Sequence, residues 1–119
     1  MKTKVSELTG SKLDWAVAKC EGVSHESYMY AVVADATDGL GHGYQYSTNW
    51  SQSGPIIERE GITINKKDGY WSAYFLDKLF EEDESEHWNV DETPLIAAMR
   101  CYIESKLGDE IDIPEELNE

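Results

Sequence analysis

The sequence predicts an α+β fold, with two helices packed on a small antiparallel β-sheet in a single domain spanning 1–119. Three observations predict it. An apolar stripe at helical period follows Thr9, a second follows Thr93-Pro94, and the chain between them alternates as strands do. A length of 119 residues suits one domain with one small core.

The first helix is expected after Thr9, whose hydroxyl can accept an orphan backbone N–H. Leu13, Ala16, Val17 and Cys20 then recur at i, i+3, i+4 and i+7. Lys19 suits the last turn and Gly22 a left-handed stop. Tyr28–Ala34 (YMYAVVA) is rich in β-formers and reads as a strand. Asp38–Gly43 reads as a flexible glycine loop; no helix and no Lys-Ser or Lys-Thr follows, as a phosphate loop requires. Ile62 and Ile64 alternate with polar residues, Lys67-Asp68-Gly69 is turn chemistry, and Tyr70–Phe75 returns with aromatics, which together read as a hairpin. The second helix opens at Thr93, with Pro94 where no N–H is needed. Ile96, Met99, Ile103 and Leu107 form its stripe, with Leu95 and Tyr102 beside it, and Lys106 and Gly108 close it.

Ten Lys and Arg against 24 Asp and Glu give a net charge of −14. The excess is localised. An acidic loop, 81–92, carries seven acids, and an acidic C-terminal tail, 109–119, carries six, with no Lys or Arg in either. The remainder, with 11 acids against 10 bases, is nearly neutral. Both segments are expected to be solvated and mobile, or to present carboxylates to a basic partner in the manner of a DNA mimic. The charge argues against direct binding to nucleic acid. The longest apolar runs, Ala31–Ala34 and Leu95–Met99, fall far short of the roughly 18 residues of a membrane span. The start, Met1–Val5, lacks the apolar run of a secretory signal.

Little of the sequence points to covalent chemistry. Cys20 and Cys101 stand singly and read as small core residues. His25, His42 and His87 have no second ligand at metal-pair spacing, so neither a metal nor a cofactor is expected. The segment from Tyr46 to Gly61 (YSTNWSQSGPIIEREG) is the densest in recognition-type residues. Aromatics stand beside hydroxyls and amides, and a Glu-Arg-Glu triplet closes it. Pro55 argues against a central strand. If Ile56–Glu60 were extended, Glu58 and Glu60 would share a face, a placement that can support acid–base work. The competing reading is a turn whose polar side chains bond its own backbone, with ion pairing around Arg59. Of four tryptophans, Trp15 is expected to pack and Trp71 to anchor the sheet. Trp50 and Trp88 are the better contact candidates.

SELTG…LDWAVAKCEG (6–22), YSTNWSQSGPIIEREGI (46–62) and TPLIAAMRCYIESKLGDEIDIPEEL (93–117) resemble the NinX-like family of small phage and prophage proteins. The likeness covers about half the chain by motif and nearly all of it by order. The resemblance implies a phage-encoded protein in the host cytoplasm and assigns no activity. The middle motif of the family looks like YSTDW…GGPIIERE; here Asn49 and Ser53 stand where Asp and Gly are expected. The matched motif points to Tyr46, Ser47, Thr48, Trp50, Pro55, Glu58, Arg59 and Glu60, without assigning them roles.

The expected function is therefore non-enzymatic binding to a host or phage protein of basic character. The binding residues would be Tyr46, Ser47, Thr48, Trp50, Glu58, Arg59, Glu60 and Trp71, with no catalytic residue among them. A second expectation is a nucleotide-like small ligand held in an aromatic pocket around Trp50 and Trp71.

Overall fold

The computed structural model describes residues 2–39, 43–75 and 89–117. In order these form β1 (Lys2–Lys4), α1 (Gly10–Cys20), α2 (His25–Asp38), α3 (Trp50–Glu60), β2 (Ile62–Lys67), β3 (Tyr70–Phe75), β4 (Asn89–Asp91), α4 (Pro94–Leu107) and β5 (Glu110–Asp112). Short 3-10 turns lie at Val5–Glu7 and Glu115–Leu117. Strands β2-β3-β4 make one antiparallel sheet, and β1 pairs with β5 in a separate ribbon. The fold is α+β, with four α-helices among the described residues where two were expected.

Helix α4 sits at the centre. The Thr93 hydroxyl accepts the Ile96 N–H at 3.3 Å and Pro94 occupies the first turn, as its sequence indicates. Leu95 and every residue from Ala97 to Ile103 are buried, so the helix is covered on almost all sides rather than along one stripe. One side rests on β2, β3 and β4; α1 and α3 pack elsewhere on it. The expected arrangement changes in one respect: α4 lies on the sheet, while α1 packs chiefly on α4. The hairpin is as expected. Asp68 (φ 55°) and Gly69 (φ 84°) both take positive φ, which a two-residue turn matched to strand twist requires. Ile62 and Ile64 pair with Phe75 and Ala73 on the inner face.

Two segments differ from expectation. Tyr28–Ala34 is not a strand but the middle of α2. Ser24 caps this helix by accepting the Ser27 N–H at 3.1 Å, and Gly39 ends it in the left-handed region. The Tyr28 hydroxyl donates to the Ser11 carbonyl at 3.1 Å, which fixes the helix on α1. Local caps and this single buried anchor override β propensity, which is a weak prior. Likewise, 50–60 is helical rather than extended. The Asn49 carboxamide accepts the Ser51 N–H at 2.9 Å, and Gly61 stops the helix at φ 72°. Pro55 is carried inside the helix, where its ring removes the donor to the Ser51 carbonyl. Thr9 takes the expected cap conformation, but its side chain makes no capping hydrogen bond.

The acidic tail is more ordered than a solvated segment. Lys2, Thr3 and Lys4 lie opposite Asp112, Ile111 and Glu110. Ile111, Ile113 and Leu117 are buried, while Glu110, Asp112, Glu115 and Glu116 face outward. The acids solvate one side of a segment whose apolar residues complete the core. The acidic loop expected at 81–92 lies mostly outside the described residues, as do His42, His87 and Trp88. Residues 40–42 of the glycine loop lie outside them too. Because Ile113 is fully enclosed, Ile113→Ala is expected to lower unfolding free energy by about 2–4 kcal/mol. Urea titration measures this; a mobile tail would give a change within about 0.5 kcal/mol.

Candidate functional site

The segment from Gly43 to Glu60 wraps against α1 and α4, and its polar groups are largely bound internally. The Ser47 N–H donates to Asp14 Oδ1 at 2.7 Å, and both residues are buried. Burial raises the Asp14 carboxyl above its ordinary range, and the Ser47 hydrogen bonds oppose that shift. The Gln45 N–H donates to Gln52 Oε1 at 2.7 Å, and the Asn49 N–H donates to the Gln45 carbonyl at 2.8 Å. Ser53, fully buried, donates its hydroxyl to the Tyr46 carbonyl. A glycine at 53 would lack that bond, whereas an aspartate at 49 would cap α3 as Asn49 does.

Tyr28, Tyr44 and Tyr46 form a stack, with ring centroids 5.7 Å and 6.0 Å apart and planes within 15°. Burial pushes the phenols of Tyr28 and Tyr46 up to about 12. The stack joins α2 to the turn before α3.

At the other end of α3, Arg59 carries a second network. Its Nη1 and Nη2 donate to the two Glu21 carboxylate oxygens at 3.1 Å and 2.7 Å, and its Nε donates to Glu60 at 2.9 Å. The Tyr102 hydroxyl donates to Glu21 and accepts from Arg59 at 3.1 Å. Lys106 Nζ lies 3.3 Å from the second Glu60 oxygen. The C-terminal ends of α1, α3 and α4 are thereby held together by a bidentate guanidinium–carboxylate pair and its neighbours. The Arg59 guanidinium holds Glu21 below the usual carboxylate range, with Tyr102 and Lys106 assisting. Arg59 does the same for Glu60, assisted by Lys106. Burial, then the Glu21 hydrogen bond, raises the Tyr102 phenol.

An open cleft of about 340 Å³ lies between the stack and the network, lined by residues that include Glu21, Tyr44, Tyr46, Gln52 and Arg59. Trp50 and Trp71 do not line it. Trp71 sits in β3, half buried, with Lys66 Nζ 5.7 Å from its ring centre. The cleft is lined by tyrosines, not by the Trp50 and Trp71 expected of an aromatic pocket. Glu58 and Glu60 do not share a face, because two residues of helix turn by about 200°; Glu58 faces solvent while Glu60 is ion-paired.

Of the residues singled out, Tyr46 and Ser47 are buried and Arg59 and Glu60 belong to the network. Thr48, Trp50 and Glu58 are exposed, Trp50 by 52% at the first turn of α3. Glu21, Tyr44, Tyr102 and Lys106 were not legible as neighbours of Arg59. The one available signal was the i, i+4 spacing of Tyr102 and Lys106 at the end of α4. Among the described residues, no group of three or more His, Cys, Asp or Glu is arranged to hold a metal ion. No described helix is long and apolar enough to cross a membrane.

The lowered Glu21 and Glu60 carboxyls fix a pH dependence. A carboxyl whose native pKa lies below its unfolded value contributes stability that is complete above about 4.5 and is lost as pH falls through the native value. Asp14, raised by burial, acts in the opposite sense, gaining stability on acidification. Arg59→Met is expected to flatten the acid limb of stability against pH below 4.5. Thermal unfolding across that range measures this; an unchanged acid limb would mean that the network contributes nothing.

The model of the bacteriophage P22 NinX family matches residues 4–106, which include the turn, α3, the hairpin and nearly all of α4. No curated protein matches the chain significantly. Strand β5 and the Glu115–Leu117 turn lie beyond the matched region. With its central helix and candidate site inside that match, the chain belongs to the phage P22 NinX family.

Proposed function

We propose that this phage-family protein is a non-enzymatic binding protein that acts in the host cytoplasm on a host or phage protein of basic character. Trp50 carries the reading. It is a large amphipathic ring, 52% exposed, on a helix whose start is fixed by the Asn49 cap and the Gln45–Gln52 bonds. Rigid, half-exposed aromatics supply contact energy at low entropic cost. Thr48, Ser51 and Glu58 are exposed on the same segment and would form a polar rim. The net charge of −14 favours a basic partner by raising its association rate.

Catalysis is disfavoured by how the carboxylates are used. Glu60 gives both oxygens to Arg59 and Lys106, and Glu21 gives both to Arg59. The cleft of about 340 Å³ supports a second reading, a small ligand seated against Tyr44 and Tyr46.

Trp50→Ala is expected to weaken capture of the partner from phage-infected host lysate by about tenfold or more. High salt is expected to slow association of the wild type. Capture undiminished in Trp50→Ala would overturn the proposal, and association equal at low and high salt would remove its electrostatic part. A thermal-shift panel of nucleotides tests the second reading, which ends if no member stabilises the protein.

A further inference from the structure

We propose that the outer face of α2 docks a basic amphipathic helix from another protein. This rests on the reading of the chain as a protein-binding module and names a second surface and the kind of partner it fits.

Among the described residues, helix α2 is covered on one side only. Tyr28 is its anchor, and Met29 packs partly against the core. The opposite side leaves Tyr30 exposed by 78% and Val33 by 61%. Tyr30, Val33, Ala34 and Thr37 fall at i, i+3, i+4 and i+7, which aligns them along one stripe. From Ser27 to Ala34 the helix carries no charged residue, in a chain that is 29% charged. An apolar stripe of this length on a water-facing helix matches the surface that recognises amphipathic helices.

Charge decides the occupant. Helix α2 has no Lys or Arg, and Glu26 precedes the apolar stripe while Asp38 follows it. Asp35, seven residues after Tyr28, lies on the anchored side beside Gly43 and is not part of either end. Two copies of α2 would set acid against acid in either a parallel or an antiparallel pairing, and each copy brings a net −14. A helix with apolar anchors at i, i+3, i+4 and i+7 and Lys or Arg at its ends meets the apolar stripe and both acidic ends together.

The probe is a synthetic helical peptide with leucines at that spacing and lysines flanking them. Its control is a scrambled peptide of equal charge. Backbone amide NMR titration of the full chain is expected to show shifts concentrated at 25–38 with the amphipathic peptide. Binding is expected to weaken by about tenfold or more in the Tyr30→Ala/Val33→Ala double variant. Both side chains are exposed, so far-UV circular dichroism should show the helix content retained. Shifts elsewhere, or equal binding of the scrambled peptide, would overturn the proposal. So would a wild-type dimer in sedimentation that the double variant abolishes, since a second copy would then be the occupant. If Trp50→Ala loses the partner from lysate while the double variant captures it undiminished, the α2 proposal fails and the proposed function stands.

Discussion

The burial of α4 on nearly every side is the constraint on which the rest of the structure depends. A helix enclosed from Ala97 to Ile103 must find a neighbour for each face. The sheet, α1, α3 and the ends of the chain supply them. Such enclosure normally excludes charge, yet Arg100 lies within it. Its Nε donates to the Leu8 carbonyl at 2.9 Å, and its Nη1 reaches the Val90 carbonyl and Asp91. A buried guanidinium is tolerable only when its donors are met. Those partners lie before α1 and in β4, so satisfying one side chain also fixes the relation of the first helix to the sheet.

The ends of the helices repeat this logic at the surface. Arg59 is half exposed, and a single exposed ion pair contributes little. Here it is bidentate to Glu21, bonded to Glu60 and set against Tyr102, so several groups share one geometry. His25 makes a similar tie. Its Nδ1 accepts from Trp15 at 3.1 Å, which leaves Nε2 as the donor to Glu116 at 2.7 Å. A single tautomer satisfies both partners and connects α1, α2 and the C-terminal turn.

How much of this was legible follows from the reach of each signal. The hairpin and α4 were readable because their signals are local: Asp68-Gly69 for the turn, Thr93-Pro94 and Gly108 for the helix ends. Helix α2 was misread because YMYAVVA has the composition of a strand and its decisive anchor, Tyr28, bonds a carbonyl on another helix. The α3 segment contained its own cap and stop, Asn49 and Gly61, but Pro55 between them was read only against a central strand, and the segment was weighed as extended or as a turn. Within the candidate site, Trp50, named as a contact candidate, is exposed, whereas Tyr46 and Ser47, named beside it, are buried. Their burial depends on Asp14 and Tyr28, distant in sequence, and no spacing rule reports such pairs. The tail was misjudged because its charge is conspicuous and its alternating Ile111 and Ile113 are not.

The β1–β5 ribbon also carries a temporal consequence. Lys2–Lys4 are synthesised before their pairing partners at 110–112, with helices α1 to α4 and the three-stranded sheet between them. The leading strand therefore waits, unpaired, until those elements are made, and its pairing is among the most non-local contacts of the fold. A chain arrested before residue 109 leaves β1 without its ladder partners and the Val5 N–H without the Asp109 carbonyl that accepts it at 2.8 Å.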